Sequence, residues 1–188
     1  MARAGLILAA TLDLIEGKIR PGVSTAELDN AAERYIRSQN AKPTFKGYRG
    51  FPGSICASPN AMIVHGIPGP YKLQSGDIIS IDVGVTLDGW VADAARTFAV
   101  EEVSRQARNL LNATEESLRV GVARCVAGNR HVSSFLALKR KKLKRNFGNS
   151  SSIFIPYLFK RQRSEIVQNS RCYKIIKLQK NLGEKPSK

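Results

Sequence analysis

The fold of this chain is decided by residues 79–98, which run Ile79-Ser-Ile-Asp82-Val-Gly84-Val-Thr-Leu87-Asp88-Gly89-Trp90-Val-Ala-Asp93-Ala-Ala-Arg-Thr-Phe98. Every second residue from Ile79 to Leu87 is apolar, and this period of two is the signature of a half-buried β-strand. Asp-Gly is a preferred pair for a two-residue type I′ turn. The stretch therefore predicts a β-hairpin whose turn lies at positions 88–89.

A two-residue turn also fixes which residues of the two strands face one another. Gly84 then lies opposite Asp93, and Asp82 lies opposite Ala95, so the two aspartates are diagonal neighbours on one face, roughly 7–8 Å apart at the backbone. Two carboxylates at that spacing are able to share one metal ion, or a pair of ions about 3.5–4 Å apart. Aspartates on the polar face of a hairpin are more often simply solvated. Gly84 is expected to leave open space opposite Asp93.

The residues around the hairpin predict helices that cover it. Apolar residues at helical spacing indicate a first helix over residues 4–19. The sequence Ser24-Thr-Ala-Glu27 is a capping-box pattern that opens a second helix toward Ser38. Residues 41–70 are rich in Gly and Pro and predict loops and short strands, and residues 104–127 predict a third helix. The predicted fold class is α+β, with an antiparallel sheet backed by helices.

The composition separates two kinds of sequence. The net charge is +15, but residues 1–130 hold 15 Lys and Arg against 13 Asp and Glu, whereas residues 131–188 hold 15 against two. Three cysteines without paired spacing indicate a reducing compartment rather than a disulfide framework. The sequence has no apolar run of about 18 residues and no signal-peptide pattern, so we expect a cytoplasmic protein without a membrane span.

Four blocks of residues 1–130 together resemble a known family. They are Tyr48-Arg-Gly-Phe51-Pro-Gly-Ser-Ile-Cys56, Val64-His65-Gly-Ile-Pro68, Gly76-Asp-Ile-Ile-Ser-Ile-Asp82-Val, and Asp88-Gly-Trp-Val-Ala-Asp93. Their order and spacing closely resemble the first half of type I methionine aminopeptidases, which are metallohydrolases of the pita-bread, or creatinase/aminopeptidase-like, fold. A proline peptidase of the same fold is the related alternative, and the His-Gly-Ile-Pro block favours the methionine enzymes. The resemblance implies half of a pita-bread fold over residues 1–130.

The resemblance also implies a role for individual residues. Asp82 and Asp93 match metal ligands, and His65 matches the histidine that contacts the substrate and assists turnover. Ordinary core packing is an equal alternative for three residues that match the pocket for the methionine side chain: Tyr48, Phe51 and Cys56. The family is expected to use two divalent metal ions (Co, Mn, Fe, Zn or Ni). Its substrates are the N-termini of nascent polypeptides, with ribosome association as a further expectation.

The match to the family stops near residue 130. The second half of such an enzyme would supply a metal-binding histidine, two metal-binding glutamates and a further substrate-contacting histidine. The histidine and acidic residues of segment 131–188 are His131, Glu165 and Glu184, and none of them stands in a family-like context. We therefore expect weak metal binding by this chain and no peptidase activity.

The basic segment 131–188 has three alternative origins: a shifted reading frame, a basic appendage, or a folded nucleic-acid module. Residues 139–145 run Lys-Arg-Lys-Lys-Leu-Lys-Arg, a pattern that suits nucleic acid or simple solvation. The alternative function is thus a non-catalytic protein that binds nucleic acid or ribosomes through this basic tail.

Overall fold

The computed structural model describes residues 1–123 and the backbone of three short strands at 165–169, 172–176 and 179–180. The chain divides into two compact units, one formed by residues 1–104 with 176–188 and the other by residues 105–175. The predicted boundary between residues 130 and 131, and the basic run at 139–145, lie outside the described residues.

The described elements begin with two helices, continue with strands that include a long hairpin, and then give a third helix and three short strands. In chain order they are α1 (Ala2–Glu16), α2 (Thr25–Ser38), β1 (Lys42–Pro43), a 3₁₀ turn (Tyr48–Gly50), β2 (Ile55–Pro59), β3 (Ile78–Leu87), β4 (Trp90–Ala99), α3 (Arg105–Val122), β5 (Glu165–Asn169), β6 (Cys172–Ile176) and β7 (Gln179–Lys180). Strands β5 and β6 pair with each other. No helix in the described part of the chain combines the length and the apolar character needed to cross a membrane.

Strand β3 is the centre of the larger sheet. One of its edges pairs along its whole length with β4, and the other edge pairs with β2 and then with β1, always antiparallel. The two residues of β7 pair with Trp90 and Val91 at the start of β4. Antiparallel pairing of this kind, with helices on one side, confirms the predicted α+β class.

One face of this sheet forms the hydrophobic core with α1 and α2. The alternate residues of β3 are fully buried there, as the period of two predicts. The helices contribute stripes spaced three or four residues apart. The larger core members include Leu8, Leu12, Ile15, Leu28, Ile36, Ile79, Ile81, Val83, Val85 and Phe98. The guanidinium of Arg96 donates to the carboxylates of Asp13 and Glu16 on α1, which ties β4 to that helix.

The helix ends agree only in part with the sequence. The capping box at α2 is confirmed, because the Glu27 amide donates to Ser24 Oγ at 3.2 Å and the Ser24 amide donates to the Glu27 carboxylate at 2.8 Å. The prediction that the first helix extends to Ile19 was wrong: α1 ends at Glu16, and the amides of Lys18 and Ile19 bond in turns. The C-cap residue Gly17 keeps right-handed helical backbone angles (φ −66°, ψ −10°), so the helix does not end on a left-handed glycine cap.

Candidate metal centre

The hairpin brings Asp82 and Asp93 to the same face of the sheet. Asp88 and Gly89 have φ of 50° and 76°, the two positive values that a type I′ turn requires. The resulting register pairs Gly84 with Asp93 and Asp82 with Ala95, which confirms the predicted pairing. Both carboxylates are half-buried on the face opposite α1 and α2.

The expected open space at Gly84 is occupied by protein. The amide of Thr44 donates to the Gly84 carbonyl at 2.9 Å, so the chain after β1 stays beside this glycine. A Cβ at position 84 would lie 2.7 Å from a ring carbon of Phe45 and 2.8 Å from Thr44 Cβ. The expectation of empty space was therefore wrong, because a residue without a side chain lets the Phe45 ring pack there instead.

Cys56 adjoins the two carboxylates from the other edge of β3. In the β2–β3 register it lies opposite Asp82. Burial, followed by the charges of Asp82, Asp93 and Asp29, raises the pKa of the Cys56 thiol to about 12. The side chain is buried, so at neutral pH it presents a neutral, weakly polar surface beside Asp82 rather than a reactive thiolate.

Asp29 of α2 fixes the start of the strand that carries Cys56. Its Oδ1 accepts from the amides of Ser54 and Ile55 at 2.7 and 2.9 Å. Desolvation by burial raises the pKa of Asp29, although these two bonds act in the opposite direction. Sequence analysis missed this residue, since a carboxylate within an amphipathic helix gives no local sign that it meets a strand 25 residues later.

His65 is exposed on the loop between β2 and β3, and its following residue is tied to β2. The Gly66 amide donates to Ser58 Oγ at 3.1 Å, and the Ala57 amide donates to the Gly66 carbonyl at 2.9 Å. Ser58 is two residues from Cys56 on the same face of β2. The alternation of faces along β2 would have placed the Ser58 side chain on the same face as Cys56.

The two aromatic residues predicted for the substrate pocket lie in and just after the 3₁₀ turn. Tyr48 has 64% of its surface exposed, and the Arg49 guanidinium lies 5.5 Å from the centre of its ring. Phe51 is half-buried, and its amide donates to the Tyr48 carbonyl at 3.0 Å. The Tyr48 ring is therefore largely open to solvent, and its place in a substrate pocket stays a prediction.

The donor chemistry of this face suits a divalent cation. Carboxylate oxygens are the preferred ligands of hard divalent metals, and the Asp82 Oδ1 atom is itself buried. Within the part of the chain that the structure describes, no cluster of three or more His, Cys, Asp or Glu side chains is arranged to hold a metal ion. Asp82 and Asp93 thus fit as part of a metal centre and do not complete one.

Comparisons of the sequence and of the structure identify proteins that are similar to this chain. The model of "Metallopeptidase family M24" matches residues 1–151. Methionine aminopeptidase from Clostridium perfringens is 49% identical over 130 residues, and methionine aminopeptidase 1 from Bacillus subtilis is 50% identical over 130 residues. Each alignment covers 69% of this chain and 52% of the relative. The crystal structure of methionine aminopeptidase from Rickettsia prowazekii superposes with a TM-score of 0.62 at 40% identity, over 64% of this chain and 48% of that one. The chain thus spans about half the length of the curated relatives that it matches.

Proposed function

Because the chain belongs to metallopeptidase family M24, we propose that residues 1–130 supply the first half of a methionine aminopeptidase centre. The shared face of Asp82 and Asp93, fixed by the hairpin register, is the single observation that carries this proposal. The substrates would be nascent polypeptides that begin with methionine, which also implies a cytoplasmic location. The curated relatives at about 50% identity bear the same name and therefore support this assignment.

Each residue has a proposed task in this centre. Asp82 and Asp93 hold divalent metal through their carboxylate oxygens. When bound, such a metal pair supplies an activated water and polarises the scissile carbonyl. His65 contacts the substrate from the loop tied to β2. The wall that receives the methionine side chain is assigned to Tyr48, Phe51 and Cys56.

The same proposal holds that this chain alone is not a working peptidase. Two carboxylates on one face repel each other when both are ionised, and further ligands are needed to hold a divalent ion firmly. Beyond residue 130 the histidine and acidic side chains are His131, Glu165 and Glu184, and they stand in no family-like context. In this proposal, residues 1–130 and 131–188 are separate parts of the chain. The peptidase activity belongs to relatives that possess both halves of the centre.

A Mn²⁺ titration of the full chain tests the metal site. We expect weak binding by the wild type, about tenfold weaker binding by Asp93→Asn, and wild-type binding by Asp88→Asn. Asp88 is a matched control because it is an exposed carboxylate of the same hairpin that lies at the turn. Equal affinity of Asp93→Asn and the wild type would contradict the assignment of Asp93 as a ligand.

Methionine release from a short peptide tests the statement about activity. With Co²⁺ or Mn²⁺ present, we expect no release above a blank without protein. Turnover that disappears in Asp93→Asn would show that the chain carries a complete centre, and the half-centre proposal would then be wrong.

A second candidate function rests on the charge of the tail. Residues 131–188 carry 15 basic and two acidic side chains, and such a segment binds polyanions with strong salt dependence. We propose binding of RNA or ribosomes through residues 139–145. Replacing Lys139, Arg140, Lys141 and Lys142 by Gln in the full chain should then weaken RNA binding and flatten its salt dependence. Unchanged binding would remove this candidate.

A further inference from the structure

The backbone at His65 is held in an unusual conformation. Its φ is 59°, in the left-handed region that residues other than glycine seldom adopt. Such a conformation persists only when the surrounding structure enforces it, and it is common where a side chain must be presented in one direction. The contacts that enforce it are therefore part of what places the His65 imidazole.

Gly66 is fixed against β2 from two sides. Its carbonyl accepts from the Ala57 amide at 2.9 Å, and its amide donates to Ser58 Oγ at 3.1 Å. A Cβ at position 66 would lie 2.1 Å from the Ala57 carbonyl oxygen, so only glycine fits this close approach. Position 66 consequently cannot move without breaking the bond to Ser58.

Ser58 joins this loop to the face that carries the aspartates. Its side chain is almost fully buried, with 3% of the residue exposed, and it lies opposite Ser80 in the β2–β3 register. Ser80 and Asp82 are two residues apart, so they lie on the same face of β3. The Ser58 hydroxyl is thus a direct link between this face and the residue that follows His65.

The beginning of the same loop is held independently. Asn60 exchanges two hydrogen bonds with Ile78, through its own amide at 2.8 Å and its side-chain oxygen at 3.1 Å. Its Nδ2 also donates to Asp77 at 2.8 Å. Loss of the Ser58 hydroxyl would therefore remove one of the two hydrogen bonds that hold Gly66 next to His65, while the Ala57–Gly66 bond and the Asn60 contacts remain.

We infer that Ser58 is a positioning residue, which sets the place of His65 relative to Asp82 and Asp93 through the Gly66 amide. This inference rests on the proposed function, in which His65 contacts the substrate. Ser58 itself is not assigned a contact with substrate or metal.

The test compares Ser58→Ala with Ser80→Ala in the full chain. Ser80 is a matched control because it is the register partner of Ser58, on the same face, while its hydroxyl bonds to Thr97 Oγ1 at 2.8 Å. Ser58→Cys is a second variant that keeps the side-chain size but replaces the oxygen by a much weaker acceptor. It decides the question if Ser58→Ala does not fold.

Two measurements report on position rather than on overall stability. Hydrogen exchange of the Gly66 amide should become about tenfold faster in Ser58→Ala, which is the effect of losing one hydrogen bond of ordinary strength. The imidazole resonance of His65 should shift, and it is easily assigned because His131 is the other histidine of the chain. Both should stay at wild-type values in Ser80→Ala. Wild-type values of both in Ser58→Ala would overturn the inference.

Added Mn²⁺ separates this inference from the proposed function. A paramagnetic ion at Asp82 and Asp93 should broaden the His65 resonance in the wild type, and the broadening should change in Ser58→Ala at equal Mn²⁺ occupancy. No broadening in the wild type would contradict the proposed function, and the Gly66 exchange rate would still decide the role of Ser58. Identical broadening in both proteins would count against the positioning role.

Discussion

The two faces of the β3–β4 hairpin are built from alternating residues of the same strands, yet they follow different rules. On the helix-facing side, Ile79, Ile81, Val83 and Val85 are fully buried. On the other side the same strands present carboxylates, hydroxyls and small residues, among them Ser80, Asp82, Asp93, Ala95 and Thr97. The helix-facing side needs apolar residues because it is buried in the core. The other side carries polar and small residues, and the segment with Thr44 and Phe45 packs closely against it.

This difference implies that the two faces respond differently to substitution. Removing volume from the helix-facing side leaves a cavity that rigid helices and strands do not fill. Removing a carboxylate from the other side takes away charge repulsion and a proposed metal ligand, and leaves the core intact.

Ile81→Ala should have the largest effect. Ile81 is fully buried in the core between the sheet and the helices, so we expect a loss of about 2–5 kcal/mol in the free energy of unfolding. Ser80→Ala, the adjacent change on the other face, should cost about 0.5–1.5 kcal/mol for its hydroxyl pair with Thr97. Urea denaturation measures both, and equal losses would contradict the division between the faces.

Asp77, at the entrance to β3, should show the next largest effect. Its carboxylate accepts from Asn60 at 2.8 Å, from the Tyr71 hydroxyl at 2.8 Å and from the Gln74 amide at 2.9 Å. Burial is the largest single influence and raises the pKa of Asp77, but these three bonds together lower it. Asp77→Asn should cost about 1.5–3 kcal/mol at neutral pH, because the bonds to the charged form are lost.

The pH dependence provides the control for Asp77. Because the folded-state pKa of Asp77 is lowered, its carboxylate stabilises the folded protein above the ordinary value of 3.8. That stability is lost as the pH falls through the folded-state pKa, so Asp77→Asn and the wild type should converge in acid.

Asp29, whose pKa is raised, should behave in the opposite way. Its contribution is fully present below pH 3.8 and is lost as the pH rises, so the wild type should lose stability relative to Asp29→Asn over that range. The same direction for both variants would show that these carboxylates do not govern the acid response.

Gly84→Ala tests whether the carboxylate face is also tightly packed. The new methyl group would meet Phe45 and Thr44 at under 3 Å, so we expect a loss of about 1–3 kcal/mol. Gly17→Ala is a suitable control, because its Cβ would meet nothing closer than 3.7 Å and the backbone there is helical. Thermal unfolding of the two variants shows the difference. If Gly84→Ala is as stable as the wild type, the Phe45 ring moves aside easily and this face is the softer one.

Asp93→Asn should have the smallest effect on folding. Without metal, the loss of one of two like charges on this face should stabilise the protein by about 0.2–1 kcal/mol. With Mn²⁺ added, the wild type should gain stability as ligand binding requires, and Asp93→Asn should gain less. Calorimetry with and without Mn²⁺ measures this reversal. A clear loss of stability in metal-free Asp93→Asn would mean that Asp93 serves the fold rather than a metal site.

The sequence predicted the local features of this molecule well. The hairpin register, the turn at Asp88 and Gly89, and the capping box between Ser24 and Glu27 all depend on residues close together in the chain, and the structure confirms each one. The end of α1 was predicted three residues too late, because the composition up to Ile19 does not show that the regular helix ends at Glu16.

The contacts across the candidate site had no comparable local signal. The packing of Phe45 over Gly84, the bonds from Ser54 and Ile55 to Asp29, and the placing of Cys56 beside Asp82 join segments 25 to 39 residues apart. Side chains that meet over such distances are selected by shape and hydrogen bonding in the folded state, which no period of two or of 3.6 encodes.

Asp82 and Asp93 share a face because a two-residue turn and a period of two, both visible in the sequence, leave one register. Their surroundings come from the tertiary fold, which places a buried thiol at Cys56 opposite Asp82 and an aromatic ring over Gly84. A hairpin forms between residues that are close in sequence and closes by local geometry. Strand β2 pairs with β3 across a longer stretch of chain, and it does so only when burial of both strands is favourable.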